Sequence, residues 1–243
     1  MTRLVTVFLF AFAALTGAVS AYDGENFNPS KWLAFSVQEI VAGGSEENIF
    51  LHGETIHAGL YMPSDYIDID EDEYRYDTLY IVMEGTLTIA GGPTITKVSP
   101  GDVAYVRAGV EHYLNPLPKA TYLRISPTSS SSMDDPAIRV FWNEDIRTPW
   151  KPDANEWNPF LEVNSMTFGL YMLPQALGGD QTLTHDVDEI NIVIKGDAKF
   201  RMDDDEIKVG PGSIMWVKAG VGHYFHDLSE DFEVLIMFRR DRK

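Results

Sequence analysis

Ala108-Gly109-Val110-Glu111-His112-Tyr113 is answered 111 residues later by Ala219-Gly220-Val221-Gly222-His223-Tyr224. Working outward, Pro100-Gly101 matches Pro211-Gly212 and Gly85 matches Gly196 at the same offset. Of the 44 position pairs from Tyr74/His185 to Leu117/Leu228, 15 are identical, among them three glycines and the His-Tyr pair. Farther upstream, across a one-residue insertion, Gly59-Leu60-Tyr61-Met62-Pro63 matches Gly169-Leu170-Tyr171-Met172-Leu173-Pro174. Such self-similarity means that one supersecondary unit is used twice.

Each unit reads as β. Leu79-Tyr80-Ile81-Val82-Met83 and Ile190-Asn191-Ile192-Val193-Ile194 are short β-branched runs. They end at Glu84-Gly85 and Lys195-Gly196, where hairpin turns are expected. Thr86–Ile89 and Ala198–Met202 alternate apolar with polar, as half-buried strands do. Val103–Val106 and Ile214–Val217 supply further strands, and Trp32–Val37 reads as an added one. The fold class is therefore all-β, a sandwich or barrel built twice. The acidic stretch from Asp65 to Asp77 reads as a solvated loop, and the Ser-rich run Ser126–Ser132 as a linker.

The chain has 243 residues, with 37 acidic against 19 basic side chains and a formal charge of -18. That deficit of Lys and Arg excludes phosphate-backbone recognition, so no nucleic-acid partner is expected. It equally disfavours docking on an anionic membrane. The absence of cysteine excludes disulfides, Cys-ligated zinc, iron–sulfur clusters and thiol nucleophiles. At the N-terminus, Arg3 precedes an apolar run from Leu4 to Leu15, followed by the small residues Gly17-Ala18-Val19-Ser20-Ala21. This is the pattern of a signal peptide over residues 1–21, implying a secreted or periplasmic protein. The run is too short to span a bilayer.

The motifs resemble those of the cupin superfamily, specifically a bicupin, with germin-like proteins and cupin-type dioxygenases among the similar families. The resemblance covers both units and rests on the family's two motifs. One is Gly, five residues, His-x-His, three or four residues, Glu, six residues, Gly. The other is Gly, five residues, Pro-x-Gly, two residues, His, three residues, Asn. In the C-terminal unit His185, Glu189 and Gly196 keep the first spacing, and Gly212, Gly220 and His223 keep the second. The departures are informative. Leu183 replaces the first His, Lys218 and Arg107 replace the proline, and Asp227 and Pro116 replace the Asn. In the N-terminal unit, Tyr74 and Thr78 stand where His185 and Glu189 stand, and only His112 survives. The resemblance implies two tandem double-stranded β-helix (jelly-roll) barrels. Their expected bounds are 22–125, with a degenerate metal motif, and 161–243, with the motif mostly retained; residues 126–160 form a linker and junction segment.

The candidate metal ligands are His185, Glu189 and His223. Residues an even number apart on a strand share a face, so His185 and Glu189 are expected on one side of the sheet. His223 then closes on them from a neighbouring strand. Two imidazoles and a carboxylate with open positions suit a divalent transition metal: iron, manganese or zinc. Gln181 and His226 are candidates for a further ligand. Asn191, Tyr171 and Phe225 are candidates for substrate binding, with Met215 and Tyr224 as further lining. The resulting expectation is a metal-dependent oxidoreductase, of dioxygenase or oxidase type, acting on a small oxygenated organic molecule. The missing first His argues against an oxalate enzyme, which keeps all four ligands. A zinc site would favour a lyase or isomerase instead. A non-catalytic exported binding or storage protein is the reading from a different class. A homodimer through barrel edges is the prior from the resembling families.

Overall fold

A computed structural model describes residues 31–65, 67–68, 73–129, 137–147, 157–172 and 182–240. The expected signal peptide lies outside these residues, as do Gln181 and residues 130–132 of the Ser-rich run. The first half contains β1 (Trp32–Ser36), α1 (Val37–Ala42), β2 (Glu47–His52), β3 (Ile56–Tyr61), β4 (Ile67–Asp68), β5 (Thr78–Gly91), β6 (Thr94–Val98), β7 (Val103–Val106) and β8 (Tyr113–Pro127). The second contains β9 (Ile138–Phe141), α2 (Asn143–Arg147), β10 (Trp157–Glu162), β11 (Met166–Met172), β12 (Glu189–Lys195), β13 (Ala198–Met202), β14 (Asp205–Val209), β15 (Ser213–Val217), β16 (His223–His226) and β17 (Glu233–Arg239). The fold is all-β, with antiparallel strands in a jelly-roll arrangement.

The two halves repeat one pairing order. One sheet runs β2-β3-β8-β5-β7-β9 and the other β10-β11-β17-β12-β15-β1. The outermost strands are exchanged: β1, at the start of the chain, pairs with β15, whereas β9, which opens the second half, pairs with β7. Within the expected linker and junction segment lie a sheet strand, β9, and a helix, α2. A three-stranded sheet, β14-β13-β16, carries His223 at its rim.

Burial explains why the strands nearest the middle read as continuous apolar runs. Along β5, Leu79 and Ile81 join a core shared by both halves, while Tyr80 and Val82 face the first half's own interior. Along β12, Ile190 and Ile192 enter the shared core and Val193 faces the second half's interior. Both faces are covered, so strict alternation is lost. The shared core also takes Tyr105 and Trp216, which occupy equivalent positions, and draws β1 and β9 against it through Leu33 and Phe141.

Glu84-Gly85 does not turn the chain. β5 continues through it, with register shifts against β8 on either side. Gly85 adopts φ +76°, and a Cβ there would collide with the Lys119 carbonyl oxygen. The glycine is needed for a bulge rather than for a hairpin. At Lys195-Gly196 the strand does break before β13 resumes at Ala198, with Gly196 at φ +71°.

Candidate metal centre

Among the described residues, His185, Glu189 and His223 bring a set of ligand atoms to within 4.8 Å of one another. Glu189 is the first residue of β12, held between Val217 of β15 and Phe238 of β17. His223 is the first residue of β16. Its backbone exchanges two 2.9 Å hydrogen bonds with Leu183, so the two residues are directly opposed. His185 is not on a strand. It precedes β12, so shared-face alternation does not account for its position. What holds it is the turn before His223, where Gly220 N–H donates to the His185 carbonyl at 2.8 Å. Glycine is required there by φ +83°.

The two imidazoles converge on one oxygen. Glu189 Oε2 lies 3.2 Å from His223 Nε2 and 3.3 Å from His185 Nε2. The rings sit 5.4 Å apart and 54° from coplanar. His223 Nδ1 donates to the Val221 carbonyl at 3.0 Å, which leaves Nε2 bare in the neutral ring. A bare nitrogen facing a carboxylate oxygen is two acceptors in opposition, which calls for a proton or a cation between them. Burial pushes His223 down, but the hydrogen bond and charge of Glu189, with the Val221 carbonyl, outweigh it and raise the pKa above the ordinary 6.5. The donor set therefore fits a divalent cation, which would replace that proton. Access is one-sided: the His185 side chain is 30% exposed, those of Glu189 and His223 only 3% and 5%.

The other candidates separate by face. Asn191, two residues along β12 from Glu189 and so on the same face, is fully buried. Neither end of its amide finds a hydrogen-bond partner among the described residues. Phe225 shares His223's face but packs in the interior, 4.4 Å from the ring of Phe200 and 5.0 Å from that of Phe232. Tyr171 lies at the edge of the same apolar cluster, and Met215 is buried within it. His226 is not placed to be a ligand: the alternation of β16 turns it, with Tyr224, to the opposite face. There it donates to Glu206 at 2.9 Å. The aromatic neighbours of the triad are Phe238, 4.8 Å from His185, and Phe200, 5.7 Å from His223. A cavity of about 500 Å³ opens between the halves against Val37, Met83, Arg147 and Ile194, but it is lined by none of the triad.

Sequence reasoning missed Asp188. It is 5% exposed, and its Oδ1 accepts the Ala219 N–H at 2.9 Å. Its signal was present, because Asp77 and Asp188 are one of the identical pairs at the 111-residue offset. Asp77, read as the end of a solvated loop, is fully buried.

At the equivalent place in the first half, His112 Nδ1 donates to the Val110 carbonyl at 2.8 Å, as His223 does to Val221. Its Nε2, however, accepts from the Tyr80 hydroxyl at 2.7 Å. Tyr80 occupies the position of Asn191, and Tyr74, 5.3 Å from the imidazole ring, that of His185.

The cupin domain family model matches residues 170–238, the span that contains all three ligands. The chain carries a cupin domain. An uncharacterized protein of Streptomyces coelicolor is 39% identical over 101 residues, covering 42% of this chain and 95% of its own length. A cupin 2 conserved barrel domain protein from Leptotrichia buccalis superposes with a TM-score of 0.63 at 12% identity, over 89% of this chain and 92% of that one. Salicylate 1,2-dioxygenase from Pseudoaminobacter salicylatoxidans, solved as gentisate adducts, gives 0.65 at 10% identity, over 86% and 82%. At these identities the solved structures speak for the cupin fold and not for an activity.

Proposed function

We propose that this protein is an exported bicupin, two barrels in tandem. In this reading the C-terminal barrel holds one divalent transition metal through His185, Glu189 and His223. The activity is an oxidoreduction of dioxygenase or oxidase type on a small oxygenated organic molecule. The observation that carries the reading is the convergence of two imidazole Nε2 atoms on Glu189 Oε2 in a site buried on two sides and open on the third. The signal-peptide pattern of residues 1–21 supports export.

A bound metal would supply Lewis acidity and a template with free coordination positions for oxygen ligands. The chain's own residues do the rest. The Val221 carbonyl fixes the His223 tautomer so that Nε2 faces the centre. Phe238 and Phe200 pack beside the ligand rings and offer an apolar wall to an organic ligand. Asn191, with a buried donor and a buried acceptor both unused, orients a ligand group that offers the complementary pair. Entry is from the side of His185 and Leu183, whose side chain is 46% exposed.

The test is elemental mass spectrometry of protein purified without chelator, followed by oxygen uptake with phenols and hydroxy acids. Near one equivalent of iron or manganese, with oxygen consumed, supports the oxidoreductase. One equivalent of zinc redirects the screen to eliminations and isomerisations. Absence of metal in well-folded protein overturns the reading.

A further inference from the structure

The structure assigns Asp188 as a positioning residue for the metal centre and makes the N-terminal half, through Thr55, part of that centre's support. The inference rests on the proposed metal reading and extends it across the two halves.

Asp188 immediately precedes Glu189. Its Oδ1 accepts the Ala219 N–H at 2.9 Å, four residues before His223, and its carbonyl accepts the Arg239 N–H at 2.9 Å, at the end of β17. The residue after Ala219, Gly220, holds the carbonyl of His185. One buried carboxylate thus ties together the segments that carry all three ligands. Its second oxygen, Oδ2, accepts from the hydroxyl of Thr55. Thr55 belongs to the turn between β2 and β3, which is closed by Gly53 N–H to the Ile56 carbonyl at 3.0 Å and by Thr128 N–H to the Thr55 carbonyl at 2.8 Å.

The same clasp is made in reverse. Asp77 immediately precedes Thr78; its Oδ1 accepts the Ala108 N–H at 2.8 Å, four residues before His112, and its Oδ2 accepts from the Ser165 hydroxyl. Ser165 lies in the turn between β10 and β11, the counterpart of the Thr55 turn. Each half therefore donates one hydroxyl to the other half's clasp, but among the described residues only the Asp188 clasp adjoins a triad. Groups that orient ligands are worth about 10–100-fold in metal affinity, whereas a purely structural clasp would leave affinity alone. The molecule supplies its own control.

The experiment uses the full chain, stripped of metal and titrated with Zn²⁺ against a competing chelator, with thermal unfolding recorded alongside. Thr55→Ala is expected to weaken Zn²⁺ binding by about tenfold and Asp188→Asn by up to about a hundredfold. Ser165→Ala should lower the melting temperature about as much as Thr55→Ala does, yet leave Zn²⁺ affinity within about twofold. Thr55→Ser, which keeps the hydroxyl, should restore affinity. If Zn²⁺ binds the wild type but Thr55→Ala and Ser165→Ala bind it equally well, the positioning role is overturned and the metal reading stands. A wild type that takes up no Zn²⁺ overturns both.

Discussion

His112 and His223 are held by the same device, an Nδ1–H given to the carbonyl two residues earlier, yet their free nitrogens meet different chemistry. In the first half Nε2 takes the hydroxyl proton of Tyr80. In the second it faces Glu189, which His185 also approaches. The backbone device is thus common to the half with the triad and the half without it, and the difference between the halves lies in three side chains: Tyr74 against His185, Thr78 against Glu189 and Tyr80 against Asn191. A tyrosine pair fills with rings and one hydroxyl the place where the second half keeps a bare carboxylate and an unpaired amide. One half therefore offers ligands, and the other has closed the position over.

The largest effect should come from moving the plug. Tyr80 sits opposite Ala104 in register, whereas Asn191 sits opposite Met215. The pair Asn191→Tyr with Met215→Ala recreates the first half's arrangement at nearly conserved volume, the kind of core exchange that is tolerated best. Its metal content, by elemental analysis, should fall to background while the protein stays folded. Retained metal would show that the position of Asn191 does not decide which half binds.

A gain should follow from the opposite change. Leu183 is paired directly with His223, so their side chains share a face. Leu183→His should add an imidazole beside the triad and tighten Zn²⁺ on the order of tenfold, the inverse of losing a supporting group. Chelator competition reads this directly.

Smaller, and confined to stability, is the loss of His112. His112→Ala removes a ring that is 2% exposed and bonded at both nitrogens, which should cost about 2–4 kcal/mol by denaturant unfolding with metal content unchanged.

The smallest effects are two pH slopes of opposite sign. His57, whose ring stacks on His52 at 4.3 Å, is held below 6.5 by burial, by His52 and by Arg124 against the Gly53 backbone. The folded state resists its protonation, so this contribution is intact above pH 6.5 and erodes as pH falls through 6.5 toward the lowered value. His57→Gln should flatten that limb. In metal-free protein the raised pKa of His223 works the other way: its contribution is complete below 6.5 and is lost as pH rises through the folded value. Glu189→Gln should remove it, as stability measured against pH would show.

Much of this was legible from spacing. The repeat located both histidines, the departures at Tyr74 and Thr78 marked the altered half, and the apolar runs located β5, β12, β7 and β15. Long-range pairing was not legible. Nothing in Trp32–Ser36 or Ile138–Phe141 says that each joins the other half's sheet, because an alternating strand specifies a face and not a partner. His185 was expected on the right side for the wrong reason, since Gly220 rather than strand alternation holds it. His226 was misread because its proximity in sequence to His223 hid a difference in parity along β16. Asp188 went unnoticed because a buried carboxylate is recognised by its donors, and Thr55 lies 133 residues away.

One asymmetry is decisive: metal is expected in the second half alone. Elemental mass spectrometry of the wild type, His223→Ala and His112→Ala, purified side by side without chelator, tests it. The expected result is about one equivalent in the wild type, none in His223→Ala and one in His112→Ala. Two equivalents in the wild type, or metal lost with His112 and kept without His223, would contradict it.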